Sequence, residues 1–398
     1  MTAKLLFFFA ILISANTSAQ SIFYFSSGFE NSSYLMQYEL NGNINTNYAD
    51  IYGTDNTTGY NWVADFDNSP DIGNFRIYYE VGDTLKAKAS IVLDPLNINN
   101  QVLKFKIDSA NIPNNENPKG RIQAAINGNT NLKEFSFKVK LYLHPDIDTL
   151  RYYNDDFNWL TLMEFWNNSS NQPFPFRITL NIQKPDSLVG SPLYFGAHGQ
   201  TKITGGLWND VWAEIDTSYI VPTGEWLTFE TYFHEGDSFN GRYKVVVTDY
   251  LNNSHTLFDI TDFTHHPDDP NPDGVTNFNP MKLYTSGVLI DGMRQNNAEL
   301  SVFWDNFEIW TNSNILSVKE NKLSDLKFYP NPVKNILYFE DFQEINEIHI
   351  YNITGKIVKS YCKISNGVFN VSELPTGLYI LTIRYMNGKT KSTRIIKE

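Results

Sequence analysis

The segment that decides the fold is Phe135-Ser-Phe-Lys-Val-Lys-Leu-Tyr-Leu143, which lies near the middle of the 398-residue chain. Every second side chain in this segment is apolar, and the residues between them include Lys138 and Lys140. Because neighbouring side chains of a β-strand point to opposite faces, the pattern predicts a strand with one buried and one polar face.

The same period of two recurs on both sides of this segment. It is found at 174–183, 243–247, 282–284 and 300–310. Loops rich in Asn, Gly, Pro and Asp separate these segments, and we expect no amphipathic helix anywhere in the chain. Many strands joined by long polar loops indicate an all-β, two-sheet sandwich of the jelly-roll type.

A second, smaller set of strands follows at the C-terminal end. Its four motifs are, in order, Phe328-Tyr-Pro-Asn-Pro-Val333, Ile350-Tyr-Asn-Ile-Thr-Gly355, Val371-Ser-Glu-Leu-Pro-Thr-Gly-Leu-Tyr-Ile-Leu-Thr-Ile383 and Gly388–Glu398. Alternating strands and Asn-Pro, Thr-Gly and Asn-Gly turns predict a small all-β module. In this order the motifs resemble the C-terminal sorting domain of the type IX secretion system of Bacteroidota. The resemblance implies a small β-sandwich, export across the outer membrane by the secretion machinery, removal of the tail, and surface anchoring or release.

The N-terminus has the features of a secretory signal peptide. Lys4 precedes the apolar run 5–13, and Thr17-Ser-Ala19 offers small residues for cleavage before Gln20. The run is too short to cross a bilayer, and we expect no transmembrane segment later in the chain. The single cysteine, Cys362, lies in the tail, so the exported body needs a stable core without disulfides. The predicted organisation is a signal peptide at 1–19, a jelly-roll domain at 20–312, a linker at 313–325 and a sorting domain at 326–398.

Charge is divided unevenly along the chain. Residues 1–317 carry a net charge of −17 and residues 318–398 a net charge of +4, which gives −13 in total. Nucleic acid binding needs a basic surface, so the acidic body argues against a nucleic acid partner. The acidic body does not exclude an anionic polysaccharide, because a local group of Arg and Lys can outweigh distant charges. Aromatic residues make up 15% of the chain, and their planes suit sugar rings as well as a core.

A second resemblance covers the body of the chain. Two segments resemble the first and last strands of concanavalin A-like jelly rolls. They are Phe29-Glu30 and Val302-Phe-Trp-Asp-Asn-Phe-Glu-Ile-Trp310, respectively. Three segments between these strands resemble polysaccharide lyases of that fold, which include heparin, glucuronan and alginate lyases. The segments are Gly120-Arg-Ile-Gln-Ala-Ala-Ile126, 135–145 and Trp159-Leu-Thr-Leu-Met-Glu-Phe-Trp166. The resemblance implies a product of a marine Bacteroidota polysaccharide-utilisation locus. The implied substrates are algal uronic acid or sulfated polymers such as ulvan, alginate or carrageenan.

Such a lyase removes the C5 proton of a uronate, which requires a group that neutralises the carboxylate and a base. Arg121 and Gln123 are two residues apart on a predicted strand and share one face, so we predict that they hold the carboxylate. A structural arginine on a solvated face is the alternative. His198 lies between glycines, where the chain can approach a ligand closely, and is the predicted general base. His234 is the second choice, and both histidines can also be structural.

Two further segments supply candidate binding residues. Lys282 and Tyr284 share a strand face, which suits a tyrosine acid beside a cation, although an ordinary edge strand would look the same. Glu164 has apolar neighbours at alternating positions, which predicts burial and a raised pKa. We expect it to face a groove with Trp166 and Asn167.

A structural ion pair is the other interpretation of Glu164. Its partner would be Arg177 or Arg121, and Arg177 is also a predicted substrate-binding residue. A laminarinase-like hydrolase is a weaker alternative to a lyase. Such enzymes carry alternating acids on one strand, and here Glu214 and Asp216 are followed by Ser218 instead of a third acid. A retaining mechanism needs both carboxylates of its pair.

A calcium site is predicted at Asp269-Pro-Asn-Pro-Asp-Gly274. Asp269, Asn271 and Asp273 have the alternating oxygen ligands of a calcium loop, and the glycine permits the turn. Pro280 stands where an EF-hand has its bidentate glutamate, so an Asx-turn loop without metal is the alternative. A bound Ca²⁺ would order the loop rather than take part in catalysis, and no other cofactor is expected.

Two functional classes therefore stay open. One is a secreted or surface-anchored polysaccharide lyase that acts by β-elimination at a uronate. The other is a non-catalytic carbohydrate-binding or adhesion protein, since one fold serves both purposes.

Overall fold

The computed structural model describes residues 22–40, 43–66, 72–79, 86–112, 117–129, 132–202, 206–311, 328–339, 345–352, 356–362, 367–385 and 390–398. It divides into two compact units, Met1–Ser317 and Val318–Glu398. The predicted signal peptide and linker lie outside the described residues. Within those ranges, no helix is long and apolar enough to span a membrane.

The N-terminal unit consists mainly of antiparallel strands. Its strands in chain order are β1 (Ile22–Ser27), β2 (Tyr34–Leu40), β3 (Asn43–Tyr52), β4 (Asn74–Tyr78), β5 (Ala87–Asp94), β6 (Asn97–Ile107), β7 (Lys119–Asn127), β8 (Glu134–Leu143), β9 (Phe157–Asn167), β10 (Phe176–Lys184), β11 (Tyr194–Lys202), β12 (Trp208–Ile220), β13 (Trp226–His234), β14 (Arg242–Thr248), β15 (Ser254–Thr261), β16 (Asn277–Ser286) and β17 (Leu300–Thr311). A π-helical turn at Trp62–Phe66 and a 3₁₀ helix at Pro145–Tyr152 lie between strands.

These strands form two sheets that pack face to face. The first has the order β15-β14-β13-β8-β17-β6-β5, with β1 paired to β17, and the second has the order β12-β11-β10-β9-β16-β7-β4-β3-β2. The apolar face of β8 is fully buried. Phe137 on this face lies 6.0 Å from Phe165 of the second sheet, measured between ring centroids. Since the apolar faces of two sheets form one core, the predicted all-β sandwich is confirmed.

Among the described residues, one α-helix interrupts the strands. Helix α1 (Gly287–Gln295) begins at Ser286, whose side chain accepts a hydrogen bond from the Leu289 backbone N–H and caps the first turn. Leu289, Ile290 and Met293 are buried, with the three- and four-residue spacing of a helical face. The prediction that the chain has no amphipathic helix is therefore wrong, because this helix is too short to give an extended pattern.

The C-terminal unit is a small all-β module with its own core. Its strands are β18 (Phe328–Tyr329), β19 (Ile336–Phe339), β20 (Ile345–Asn352), β21 (Ile357–Cys362), β22 (Val368–Asn370), β23 (Gly377–Tyr385) and β24 (Thr390–Lys397). They form the sheets β18-β19-β22 and β21-β20-β23-β24. Alternate side chains such as Ile348, Ile350, Leu381 and Ile383 are buried between them, as the period of two predicts.

Candidate active site

The second sheet carries a cleft on the face opposite the core. Along β10, Ile178 and Leu180 enter the core, whereas Arg177, Thr179 and Asn181 line the cleft. The cleft has a volume of about 360 Å³. Its lining residues are Asn117, Lys119, Asn158, Trp159, Thr161, Arg177, Thr179, Asn181, His198, Gln200, Trp208, Tyr284 and Ser286. No Asp or Glu is among these lining residues, although the body as a whole is acidic.

A β-bulge in β9 brings Glu164 to the cleft side of the sheet. Strict alternation would place Glu164 on the same face as Leu162. In the structure Thr161 pairs with Asn181 and Glu164 with Thr179, so β9 advances three residues where β10 advances two. Leu162 is fully buried in the core. Strict alternation therefore does not hold in this strand, because the bulge changes which residues share a face.

Glu164 is buried beneath the cleft among three cations. Its carboxylate forms ion pairs with Lys282 and, at 3.1 Å, with Nη1 of Arg177. Glu164 and Lys282 are 2% and 0% exposed. Burial alone would raise the pKa of Glu164, but attraction to Lys282, Arg177 and Arg121 outweighs burial and lowers the pKa to about 2. The predicted raised pKa is therefore wrong.

The same cluster sets the charge of Lys282. Burial lowers the pKa of Lys282 to about 8, with a further contribution from Arg121 and Arg177 and in spite of attraction to Glu164. At neutral pH both members of the pair are charged. One carboxylate faces three cations, so this cluster has an excess of positive charge directly beneath the cleft.

One end of the cleft, which we call the tyrosine end, is built around Tyr284. The Tyr284 and Trp159 rings lie 4.9 Å apart between centroids. The guanidinium carbon of Arg121 lies 4.6 Å from the Tyr284 ring centroid, and Nζ of Lys282 lies 5.0 Å from it. Nζ of Lys119 is 6.0 Å from the same centroid. The Tyr284 ring is thus surrounded by cations, which give this end of the cleft a positive potential.

The other end, which we call the tryptophan end, is built around Trp208. The guanidinium carbon of Arg177 lies 4.1 Å from the Trp208 ring centroid. The Trp166 ring meets Trp208 edge to face at 5.3 Å. Arg177 thus links the aromatic rings at this end to the buried carboxylate of Glu164.

A chain of hydrogen bonds connects Arg177 to His198. Nε of Arg177 donates to Oε1 of Gln200 at 2.9 Å, and Nε2 of Gln200 donates to Oδ1 of Asp210 at 2.8 Å. Nδ1 of His198 lies 3.1 Å from the same carboxylate oxygen, and Nε2 lies 2.6 Å from Nε2 of Gln183. The carboxylate favours the tautomer with the proton on Nδ1, so Nε2 accepts from the Gln183 amide. Both ring nitrogens are therefore engaged, which favours a positioning role for His198.

We expect His198→Gln to lower kcat/KM on a cleaved polymer by less than about tenfold, because its loss would only loosen this chain. Loss of a general base usually costs about 10²–10⁴ in rate. The measurement is initial rate against substrate concentration, with Asp210→Asn as the matched variant. A loss above about a hundredfold in His198→Gln alone would restore the predicted base role.

The glycines beside His198 make room for protein side chains. A Cβ at Gly196 would lie 2.2 Å from the side chain of Gln183, and one at Gly199 would lie 2.2 Å from the ring of Trp212. The interpretation that these glycines admit a ligand is therefore wrong, since neighbouring side chains occupy the space.

Two predicted residues lie deeper than the cleft surface. Gln123 is 4% exposed, pairs across strands with Lys282, and its Oε1 has no hydrogen-bond partner in the described part of the chain. Asn167 is 1% exposed and donates to Glu235 and to the backbone oxygen of Gly274. The structure thus brings Gln123 to the cationic cluster and places Asn167 in a loop contact away from the cleft.

The predicted calcium loop forms an Asx turn. Oδ1 of Asp269 accepts from the backbone N–H of Asn271 at 3.0 Å, and Oδ2 accepts from Asn168 at 3.1 Å. Among the described residues, which include Asp273, no group of three or more His, Cys, Asp or Glu side chains could hold a metal ion. Calcium binding by backbone and amide oxygens of this loop stays a prediction.

The remaining candidates lie outside the cleft. His234 is on β13 of the first sheet, with Nδ1 3.9 Å from Glu134. Asp216 on β12 is bound to His255 and Ser218, and neither it nor Glu214 lines the cleft. These carboxylates thus give no acid pair in the cleft.

Several cleft residues were not singled out from the sequence. For Thr179 and Asn181 on β10 and Gln200 on β11, strand alternation from Arg177 and His198 would have predicted the cleft face. Trp208 gave no such signal, because it begins a strand whose position in the sheet the sequence does not reveal. The residues are Lys119, Trp159, Thr161, Thr179, Asn181, Gln200 and Trp208.

Comparison with solved structures finds polysaccharide lyases at low similarity. Alginate lyase Aly36B, solved in complex with alginate tetrasaccharide, is 11% identical, with 71% of this chain and 95% of that chain covered and a TM-score of 0.42. The marine PL-14 alginate lyase from Aplysia kurodai is 8% identical, with 73% of this chain and 99% of that chain covered and a TM-score of 0.39. The endo-β-1,4-glucuronan lyase from the fungus Trichoderma reesei is 12% identical, with 59% of this chain and 90% of that chain covered and a TM-score of 0.36. Likenesses with TM-scores below 0.5 decide neither the fold nor the activity of this chain.

Comparison of sequences gives a definite result for the C-terminal unit. No curated protein matches the chain significantly. Residues 327–398 match the family described as the secretion system C-terminal sorting domain, which confirms the resemblance in its motifs. This unit is therefore a C-terminal sorting domain, and the protein is exported through the type IX secretion system to the cell surface or the extracellular space.

Proposed function

We propose that the protein is a lyase that cleaves an anionic, uronate-containing polysaccharide by β-elimination in this cleft. The observation that supports this proposal most directly is the cluster of three cations, Arg121, Arg177 and Lys282, around the single carboxylate of Glu164. An excess of positive charge on side chains that are buried from solvent attracts the carboxylates of a substrate. It also stabilises the negative charge that develops on them during the reaction. Export supports a substrate too large to enter the cell intact.

The tyrosine end suits the chemistry of elimination. Arg121, with Gln123 beside Lys282, would neutralise the uronate carboxylate and so acidify the proton on C5. The Tyr284 hydroxyl would take this proton as it passes its own proton to the glycosidic oxygen, a double bond would form between C4 and C5, and the bond from C4 to the glycosidic oxygen would break. The leaving oxygen would thus gain its proton from Tyr284, and Lys119, with Nζ 6.0 Å from the centroid of the Tyr284 ring, is the cation nearest to the cleft surface there that could assist this transfer.

The aromatic rings suit the sugar backbone of such a polymer. Trp159 at the tyrosine end and Trp208 at the tryptophan end both line the cleft and are half-buried. Flat ring faces of this kind pack on the C–H faces of pyranose rings. Between them, uncharged hydroxyl and amide groups can bind sugar hydroxyls.

The test is the formation of an unsaturated uronate, which absorbs in the near ultraviolet. The purified protein is incubated with alginate, ulvan, glucuronan and a glycosaminoglycan, and we expect the absorbance to rise with at least one of them. Neutral laminarin is the control and should give no change. Binding of a uronate polymer in affinity electrophoresis without any rise in absorbance would contradict the lyase and leave a carbohydrate-binding protein.

A further inference from the structure

The tryptophan end lies far from the proposed reaction centre. Tyr284 is on β16 and Trp208 is on β12, and β9, β10 and β11 lie between these strands. The two strands are roughly 19 Å apart across the sheet, but the Trp208 ring reaches back to Arg177 of β10. Along β10, Arg177 lies four residues, roughly 14 Å, from Asn181, which is level with Thr161 and Tyr284. This length is much greater than one sugar ring. A sugar unit bound at Trp208 would therefore be a different unit from the one that reacts at Tyr284.

Arg177 at this end is fixed in orientation. It donates to Glu164 at 3.1 Å and to Gln200 at 2.9 Å, and its guanidinium carbon lies 4.1 Å from the Trp208 ring centroid. These bonds use two of its five N–H groups, and its side chain also lines the cleft. A guanidinium held in one plane is suited to a carboxylate or sulfate, because both bind two N–H groups side by side.

The floor between the two ends is uncharged. Oγ1 of Thr161 donates to Oδ1 of Asn181 at 2.7 Å, and Nδ2 of Asn181 donates to Oγ1 of Thr179 at 2.9 Å. At the surface of the cleft, Lys119 lies near Tyr284 and Arg177 near Trp208, with hydroxyl and amide groups between them, while Glu164 and Lys282 are buried beneath. This distribution is complementary to one polymer chain that carries anionic groups on units several positions apart.

We propose that Trp208 and Arg177 form a distal subsite for a second anionic sugar unit of the same polymer chain. The choice of an anionic polysaccharide rests on the proposed function, whereas the subsite itself requires binding only. Trp208 packs on the sugar ring and Arg177 pairs with its acidic group. The subsite makes the protein select extended anionic blocks over short oligosaccharides, because only an extended chain reaches both ends of the cleft.

The experiment compares Trp208→Ala, Trp208→Phe and the control Phe239→Ala. Phe239 is 88% exposed in the loop between β13 and β14 of the other sheet. The probes are polymeric alginate, ulvan and glucuronan, together with alginate and glucuronan disaccharides and octasaccharides. Binding is measured by calorimetry, and kcat and KM are measured by absorbance. Thermal unfolding of each variant checks that it is folded.

We expect Trp208→Ala to raise Kd and KM for the polymer and the octasaccharide by about tenfold or more. Its kcat and its affinity for the disaccharide should stay within about twofold of the wild type. Trp208→Phe should keep most of the affinity, and Phe239→Ala should change nothing.

The outcomes separate this subsite from the lyase activity. Equal Kd and KM for Trp208→Ala and the wild type would overturn the subsite while elimination stands. A tenfold weaker complex in Trp208→Ala without any elimination by the wild type would support the subsite and overturn the lyase. An equal loss for disaccharide and octasaccharide would overturn the subsite, because it would indicate a general distortion of the cleft. Absence of binding to all three polymers would overturn both.

Discussion

Tyr284→Phe is expected to lower kcat for elimination by about 10²–10⁴, while the Kd for the polymer changes by less than about threefold. The substitution removes only the hydroxyl, which is the proposed proton-transfer group. The ring stays, so its packing on Trp159 at 4.9 Å and the cations around it are kept. Initial rates by absorbance and binding by calorimetry give the two quantities separately.

The matched control for this variant is Tyr142→Phe. Tyr142 lies in the first sheet and is 5% exposed, which is close to the 8% of Tyr284. We expect full activity in Tyr142→Phe. If Tyr284→Phe kept more than about a third of the wild-type kcat, the base would be another group, and Lys119→Met would be the next variant. A large rise in Kd with unchanged kcat would instead assign Tyr284 to binding.

Sequence patterns predicted the part of the site that regular strands determine. Arg121 and Gln123 on β7 share a face, as do Lys282 and Tyr284 on β16, and the two strands are neighbours in the sheet. The period of two is sufficient for such residues, because it fixes which side chains point away from the core. What it does not fix is which strands are neighbours, so the sequence alone could not join these two pairs into one cluster.

The parts that were missed depend on irregularity and on distant contacts. The bulge in β9 moves Glu164 onto the face of Thr161, and a one-residue insertion leaves no mark in an apolar run. Burial of Glu164 was predicted correctly, but its pKa was not, because the direction depends on three cations from other strands. Trp208 joins the site only because β12 lies at the end of the second sheet, next to β11.

The pair of Glu164 and Lys282 controls stability as well as charge. The pKa of Glu164 is lowered from its ordinary value of 4.5 to about 2 in the folded protein, so the unfolded chain takes up this proton more readily. Stability from this group is therefore complete above about pH 4.5 and is lost as the pH falls through about 2. The corresponding free energy is about 3 kcal/mol. The pKa of Lys282 is also lowered, from 10.5 to about 8, so the charged form of Lys282 costs stability at pH 7, and this cost is relieved as the pH rises from about 8 to 10.5.

Glu164→Gln is therefore expected to lower the free energy of unfolding at pH 7 by about 3–5 kcal/mol, since it leaves the buried ammonium of Lys282 without a counter-charge. Denaturant unfolding monitored by fluorescence measures this change, and the loss of stability between about pH 4.5 and 2 should be smaller in the same variant.

The control is Glu230→Gln, whose pair with Lys138 at 3.8 Å is partly exposed and should contribute less than about 1 kcal/mol. The double variant Glu164→Gln with Lys282→Met should regain at least half of the loss, because no unpaired ammonium remains buried. A single variant as stable as the wild type would mean that Lys282 is uncharged or hydrated in the folded protein, and the excess of positive charge beneath the cleft would then be smaller than the proposed function requires.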